Sequence, residues 1–397
     1  MLIHDTNVLM DDNTRKTLNT TLKKYDKIII SKKASGSLQS KHIFEGDLFE
    51  KKSDLGFHSI IKFSSAKSVR NDKAGHKLLN KMFDTLGEYL VPYSDYYPIP
   101  TTGSNRSKEY CVIIPKITGI NMAEYVTHID KNVYAKQRHK EIFTHIYRIS
   151  DFMNKISVQE DSKINTGQMI YDHLFNPRIM GAKKRHNKIL FLLKAMQLPE
   201  NSRFISMEGS KIINPLNYFL NYPDFSLTNP AHDTIYLRYS HGDLHLGNIY
   251  INQRGKITIL DYDYVGIRPK DYDRATFEAS MFLKLIERFN NICDWNTHVK
   301  PIIKDYYQLN KINSNYKHLS RIVKILTAIK SFERDSYSYK ACLLIAYSRL
   351  LTSYVKVDMI KTNPGIATTC IMMIGKLLKD IYSESVSTLS IKYSFFK

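Results

Sequence analysis

The spacing of apolar positions changes character along the chain. In the first third, apolar residues come in short runs that alternate with polar ones, the period of a β-strand. Lys27-Ile28-Ile29-Ile30 is one such run, His58-Ser59-Ile60-Ile61-Lys62-Phe63 a second, and Glu109-Tyr110-Cys111-Val112-Ile113-Ile114-Pro115 a third. A helix is expected over 73–89, with Leu78, Leu79, Met82, Phe83 and Leu86 on its apolar stripe. After the connector Pro115-Lys116-Ile117-Thr118-Gly119, marked by its proline and glycine, apolar residues recur every three or four positions. That spacing predicts helices over 142–153 and 189–196, then over 276–289, 299–309, 321–329, 339–355 and 366–382. A strand is expected at 235–239. Segments 248–252 and 256–260 alternate around Gln253-Arg254-Gly255, as a β-hairpin does. The pattern is that of an α+β fold with a strand-rich part, 1–117, and a mainly helical part, 118–397. No solenoid repeat and no low-complexity linker interrupts it.

The polar loop before the hairpin carries the chemistry. It reads Tyr239-Ser240-His241-Gly242-Asp243-Leu244-His245-Leu246-Gly247-Asn248, and Ile259-Leu260-Asp261-Tyr262-Asp263-Tyr264-Val265-Gly266 follows across the hairpin. Phosphoryl transfer from ATP needs one carboxylate for the acceptor hydroxyl. It also needs an amide and a second carboxylate to hold magnesium against the phosphates. In the protein-kinase catalytic loop these groups fall in the order H-R-D-L-x-x-x-N. His241, Asp243, Leu244 and Asn248 keep that spacing, with Gly242 in place of the arginine. The hairpin returns the chain from Asn248 to Asp261, so the two can stand side by side.

These segments resemble the aminoglycoside phosphotransferase and choline kinase superfamily, which has a protein-kinase-like fold of two lobes. The family carries H-G/N-D-L-x-x-x-N, a hairpin, I-D-W/F-E-Y-x-G and an acidic segment ending D-L-A. Here the last two read Leu260-Asp261-Tyr262-Asp263-Tyr264-Val265-Gly266 and Lys270-Asp271-Tyr272-Asp273-Arg274-Ala275. The His-Gly-Asp opening looks like the aminoglycoside branch, and the acid–aromatic–acid order looks like the choline and ethanolamine kinase branch. The specific part of the resemblance spans 239–277. It implies that Asp243 orients or deprotonates the acceptor hydroxyl, that Asn248 and Asp261 are magnesium ligands, and that Asp263 reaches a second metal or faces solvent. Hard oxygen donors of this kind suit magnesium. His241 is expected to pack the loop, His245 to take part in the chemistry or else support the loop or face solvent, and Asp273 to cap or anchor the helix that follows.

By the same resemblance the first part supplies the nucleotide cover. The small-residue turn after the first strand, with Ser35 and Gly36, would bring backbone N–H groups to phosphate. Lys62 resembles the strand lysine that holds the α- and β-phosphates. Its acid partner is Asp72 or Asp84, since no glutamate stands in the familiar place. Lys116 and Ile117 lie in the expected hinge, where backbone groups would meet adenine.

Composition adds constraints. The chain is long enough for two lobes. Cys111, Cys293, Cys342 and Cys370 have no metal-ligand spacing and are expected as reduced, mostly buried thiols. There is no signal-peptide order at the start and no apolar run of membrane-spanning length. A cytoplasmic protein is therefore expected, acting in its own cell or delivered into a host. The formal net charge is +20, and Lys183-Lys184-Arg185-His186-Asn187-Lys188 is its densest run. A solvated surface accounts for such a run, with an acidic or protein partner as the alternative and nucleic acid disfavoured. Aminoglycosides and choline are cations, so this positive excess sits awkwardly with either as acceptor. An aromatic pocket is open to a chain with 27 tyrosines.

The expected activity is an ATP- and Mg2+-dependent phosphotransferase whose acceptor is a hydroxyl of a small molecule: an amino alcohol, a sugar or an aminoglycoside. GTP is an open alternative as donor. Two further alternatives are a protein kinase, including a bacterial effector, and a silent kinase fold used for binding.

Overall fold

The computed structural model describes residues 2–5, 12–33, 43–50, 56–82, 86, 88–90, 95–99, 109–115, 119–128, 135–176, 178, 180–221, 234–309, 312, 317–329, 337–355, 360, 364–382 and 391–393. The chain divides into two compact units, Met1–Ile120 with Asn248–Val265, and Asn121–Gly247 with Gly266–Lys397. The sequence division at 117/118 kept the hairpin with the helical part. In the structure 248–265 goes with the strands, and the Ile259 N–H donates to the Tyr89 carbonyl at 2.7 Å.

In the first unit, alternation builds a six-stranded sheet. The strands lie in the order Leu2–Asp5, Tyr25–Lys33, Ile43–Glu50, Gly56–Ser65, Glu109–Pro115, Asp95–Pro98. The first pair is parallel and the rest antiparallel. Phe44 and Leu48 on one strand and Ile61 and Phe63 on the next share one core with Leu18, Leu22, Ile28 and Ile30. Lys62 sits between Ile61 and Phe63, so the period of two turns its side chain to the other face of the sheet. The helix that follows is Ala66–Met82, earlier than the 73–89 expected from its apolar stripe. The Ser65 hydroxyl accepts the Ser68 N–H at 3.2 Å. That is an N-cap bond, and it starts the helix ahead of its first large apolar residues. Phe83 lies outside the described residues.

In the second unit, Thr234–Ser240 is the middle strand of a three-stranded antiparallel sheet, flanked by Gln159–Asn165 and Gly266–Pro269. It leads straight into the Asp243 loop. The helix Ala135–Ile156 buries Ile142, Ile146, Ile149, Phe152 and Ile156, a spacing of three to four. The helix expected at 189–196 extends back to Met180–Ala195, so the basic run is helical. The one expected at 276–289 is Tyr272–Ile286. The 299–309 segment differs: Ile292–His298 ends and Lys300–Lys304 begins around Pro301, which cannot continue a helix that needs its N–H. Tyr337–Tyr354 packs on Pro364–Tyr382 and Tyr272–Ile286, and also on Thr166–Leu174 and Met180–Ala195.

Glu278 lies fully buried among these helices. A carboxylate there would cost several kcal/mol without partners. Tyr306 and Tyr339 donate their hydroxyls to it. Cys111, Cys342 and Cys370 are buried and Cys293 is exposed, all as free thiols. No described helix is long and apolar enough to cross a membrane.

Candidate active site

Three carboxylates and one lysine meet in the first unit. Asp261 and Asp263 follow the second hairpin strand, Ile257–Ile259, and Asp72 comes from the helix Ala66–Met82. One oxygen of each carboxylate lies within 4.8 Å of the others. Lys62 Nζ stands 3.4 Å from Asp261 Oδ2. Burial pulls the Lys62 pKa down, but Asp261, Asp263 and Asp72 outweigh it, and the ammonium is held more firmly than in water. Asp261 takes a left-handed backbone, φ 63°, which costs a non-glycine residue about 1–3 kcal/mol. The turn follows directly on the hairpin ladder of Ile249–Ile251 and Ile257–Ile259. That ladder ends with the Leu260 N–H donating to the Asn248 carbonyl at 2.9 Å, so backbone pairing sets Asn248 beside the Asp261 turn. Gly75 lets the helix approach this turn: a Cβ there would stand 2.3 Å from the Tyr262 carbonyl oxygen.

The three acids differ in what they already hold. Asp72 accepts the Tyr262 N–H at 2.9 Å on one oxygen and the Tyr96 hydroxyl at 2.7 Å on the other. It is the latch between helix and turn. Asp263 accepts the Ser68 hydroxyl on one oxygen. Among the described residues, Asp263 Oδ1 and Asp261 Oδ1 are buried without a hydrogen-bond partner. Burial, and then the charge of Asp261, push the Asp263 carboxyl up to about 7. Buried carboxylate oxygens without donors fit a hard cation held by one or two carboxylates, as magnesium is.

The second unit places Asp243 in a different setting. The strand Thr234–Ser240 ends at His241, which is fully buried. Gly242 takes φ 78°, a conformation open to glycine at little cost, and this explains the glycine where kinases carry arginine. Asp273, expected as a cap for its own helix, reaches back to the loop instead. It accepts the His241 and Gly242 N–H groups at 2.6 and 2.8 Å. The helix start at Asp271 has no side-chain cap. Arg349 Nη2 lies 2.6 Å from Asp243 Oδ1. Its Nη1 donates to the Gly242 carbonyl at 3.0 Å and to the Tyr272 hydroxyl at 2.7 Å. His245 accepts the Gly247 N–H on Nδ1 at 3.0 Å, and its Nε2 stands 3.8 Å from Asp243 Oδ2. Burial alone would raise the Asp243 pKa, but Arg349, His245, His241 and Arg185 hold it below the usual carboxylate range.

Of the residues predicted from sequence, Lys62, Asp261 and Asp263 come together in the first unit, with Asn248 at the foot of the same hairpin. Asp72 faces Lys62 as well, but the nearest acid to the lysine is Asp261. Asp84, Ser35, Gly36, Lys116 and Ile117 lie outside the described residues. Sequence reasoning missed Arg349. Its signal was a lone arginine in the apolar run Ala341-Cys342-Leu343-Leu344-Ile345-Ala346-Tyr347-Ser348-Arg349-Leu350-Leu351, where a buried charge requires a partner.

No family model and no curated protein sequence matches the chain. Among solved structures it is similar to a thermostable mutant of the aminoglycoside phosphotransferase APH(4)-Ia in complex with ADP and hygromycin B. Identity is 9%, coverage is 90% of this chain and 96% of that one, and the TM-score is 0.46. It is also similar to the streptomycin–ATP complex of APH(2")-IIa, at 13% identity, 92% and 99% coverage and TM-score 0.39. A third is an aminoglycoside phosphotransferase from Alicyclobacillus acidocaldarius, at 10% identity, 95% and 98% coverage and TM-score 0.38. All three are aminoglycoside phosphotransferases.

Proposed function

We propose that the protein is an ATP- and magnesium-dependent phosphotransferase of the cytoplasm that moves the γ-phosphoryl group to a hydroxyl of a small molecule. The observation that carries this reading is the first-unit cluster, in which Asp261 and Asp263 each keep a buried oxygen without a donor beside the ammonium of Lys62. Asp261, Asp263 and Asn248 would hold magnesium, which neutralises phosphate charge when bound. Lys62 steadies the phosphates. Residues 1–117, joined by 248–265, would form the nucleotide-covering part, with Ser35 and Gly36 expected at the phosphates and Lys116 and Ile117 at the base. The rest of 118–397 would form the catalytic part.

In the transfer step the acceptor oxygen bonds to the γ-phosphorus, the bond from that phosphorus to the β,γ-bridging oxygen breaks, and ADP leaves. Asp243 orients the hydroxyl and takes its proton. Its depressed pKa keeps it ionised at neutral pH and makes it a weak base, so positioning contributes more than proton abstraction. Asp273 and Arg349 hold the loop that carries it.

The test is a thermal-shift titration with ATP and magnesium alongside a transfer assay with labelled ATP. Wild-type protein is expected to gain magnesium-dependent stabilisation by ATP that Asp261→Ala lacks. Equal stabilisation of the two proteins, or none in the wild type, would refute the assignment.

A further inference from the structure

The charge around Asp243 has the wrong sign for a cationic acceptor. Arg349 pairs with its carboxylate at 2.6 Å, and His245 stands 3.8 Å from the other oxygen. Arg185 comes from the basic run on the helix Met180–Ala195, and its Nη1 donates to the His173 carbonyl at 2.6 Å. The His173 ring lies 5.0 Å from that of Tyr272, whose hydroxyl Arg349 also bonds. The helices carrying His173, Arg185 and Arg349 pack on one another, so both guanidinium groups belong to one neighbourhood. The charges of Arg268, Arg349 and Arg185 all act on His173. On the acidic side stand Asp243, already paired, Asp273, engaged by two backbone N–H groups, and Asp271, whose carboxylate lies 3.7 Å from Arg274. Lys183 and Lys184 are exposed on the same helix as Arg185 and extend the positive field.

We propose that the acceptor bound beside Asp243 is an anionic alcohol, a hydroxyl compound bearing a phosphate or carboxylate group, recognised through Arg349 and Arg185. A bare aspartate repels an anion and attracts an amino sugar. With Arg349 on it and Arg185 in the same neighbourhood, that pull on a cation is offset. Guanidinium groups match the paired oxygens of phosphate and carboxylate better than ammonium does. The basic run, which otherwise reads as a solvated surface, then has a use: its middle arginine faces inward and its lysines guide the anion in. This inference rests on the phosphotransferase reading for its chemistry but not for its binding site.

Calorimetric titration of the full chain without nucleotide separates the two. Glycerol 3-phosphate and glycerate serve as phosphate and carboxylate probes, with ethanolamine and hygromycin B as cationic ones. At least one anionic probe is expected to bind and neither cation to do so. Arg349→Gln and Arg185→Gln should each weaken anion binding about tenfold to a hundredfold, and Arg349→Lys should recover part of the loss. Circular dichroism checks folding, and if Arg349→Gln is unfolded, Arg185→Gln decides. Tighter binding of a cation, no binding of either anion, or wild-type affinity in the folded variants would overturn the proposal. In the transfer assay the variants should raise KM for the anionic acceptor and leave KM for ATP unchanged. Anion binding with no transfer from ATP to any probe would sink the phosphotransferase reading while the anion site stands. Transfer to a cation would do the reverse.

Discussion

Asp261 and Asp243 are the same side chain in opposite surroundings. Asp261 shares its site with Asp263, Asp72 and the ammonium of Lys62. Asp243 has Arg349 on one oxygen, His245 near the other and Arg185 close by. The consequences diverge. In the first unit burial, and then the negative charge of Asp261, lifts Asp263 to about 7, and a divalent cation would relieve it. In the second, positive charge keeps Asp243 ionised despite burial. Sign, more than residue type, is the ground on which we propose metal for one aspartate and the acceptor for the other.

The largest effect should come from Asp243→Asn. It is expected to lower the transfer rate by about 10²–10⁴-fold, with the ATP–magnesium thermal shift retained, because the residues we propose for nucleotide and magnesium belong to the other unit. Loss of the shift together with the rate would erase the contrast between the two aspartates. Asp261→Asn is the converse: the magnesium-dependent part of the shift should disappear, while binding of an anionic alcohol near Asp243 stays at its wild-type value.

Gly75→Ala sharpens the first half of the comparison without touching a charge. The added Cβ collides with the Tyr262 carbonyl and presses on Val265. Overpacking of this kind costs about 1–3 kcal/mol, readable by urea denaturation. Because the turn carrying Asp261 must shift, ATP stabilisation should weaken as well.

The smallest effect is in pH dependence. Burial, then Arg268, Arg349 and Arg185, push His173 down to about 3 from 6.5. Below 6.5 the unfolded chain takes up a proton that the folded protein refuses. The stability this residue contributes is complete above that pH and is lost as pH falls toward 3. His173→Gln should flatten the dependence over that window, as followed by denaturant midpoints at several pH values. An unchanged slope would mean that His173 is less buried, and its arginine neighbours less effective, than the geometry implies.

The strand-rich beginning and helix-rich remainder were legible because alternation and the three-to-four spacing are local properties. So were the hairpin and the two acidic segments at its ends, since Asn248 lies five positions after Asp243 and the turn Gln253-Arg254-Gly255 sets the return. The helix start at Ala66 was not found, because a serine cap outranked an apolar stripe. Asp273 was assigned to its own helix because caps are local, whereas its partners His241 and Gly242 are remote in sequence.

By itself the sequence determined the order of elements, the glycine at 242 and the acids at 243, 261 and 263, all of which follow from backbone geometry and short-range spacing. Only the tertiary structure decided the charge around each acid. Arg349 lies 106 residues beyond Asp243, and Lys62 lies 199 before Asp261. Coulomb energy depends on distance through space, which packing sets and spacing along the chain does not.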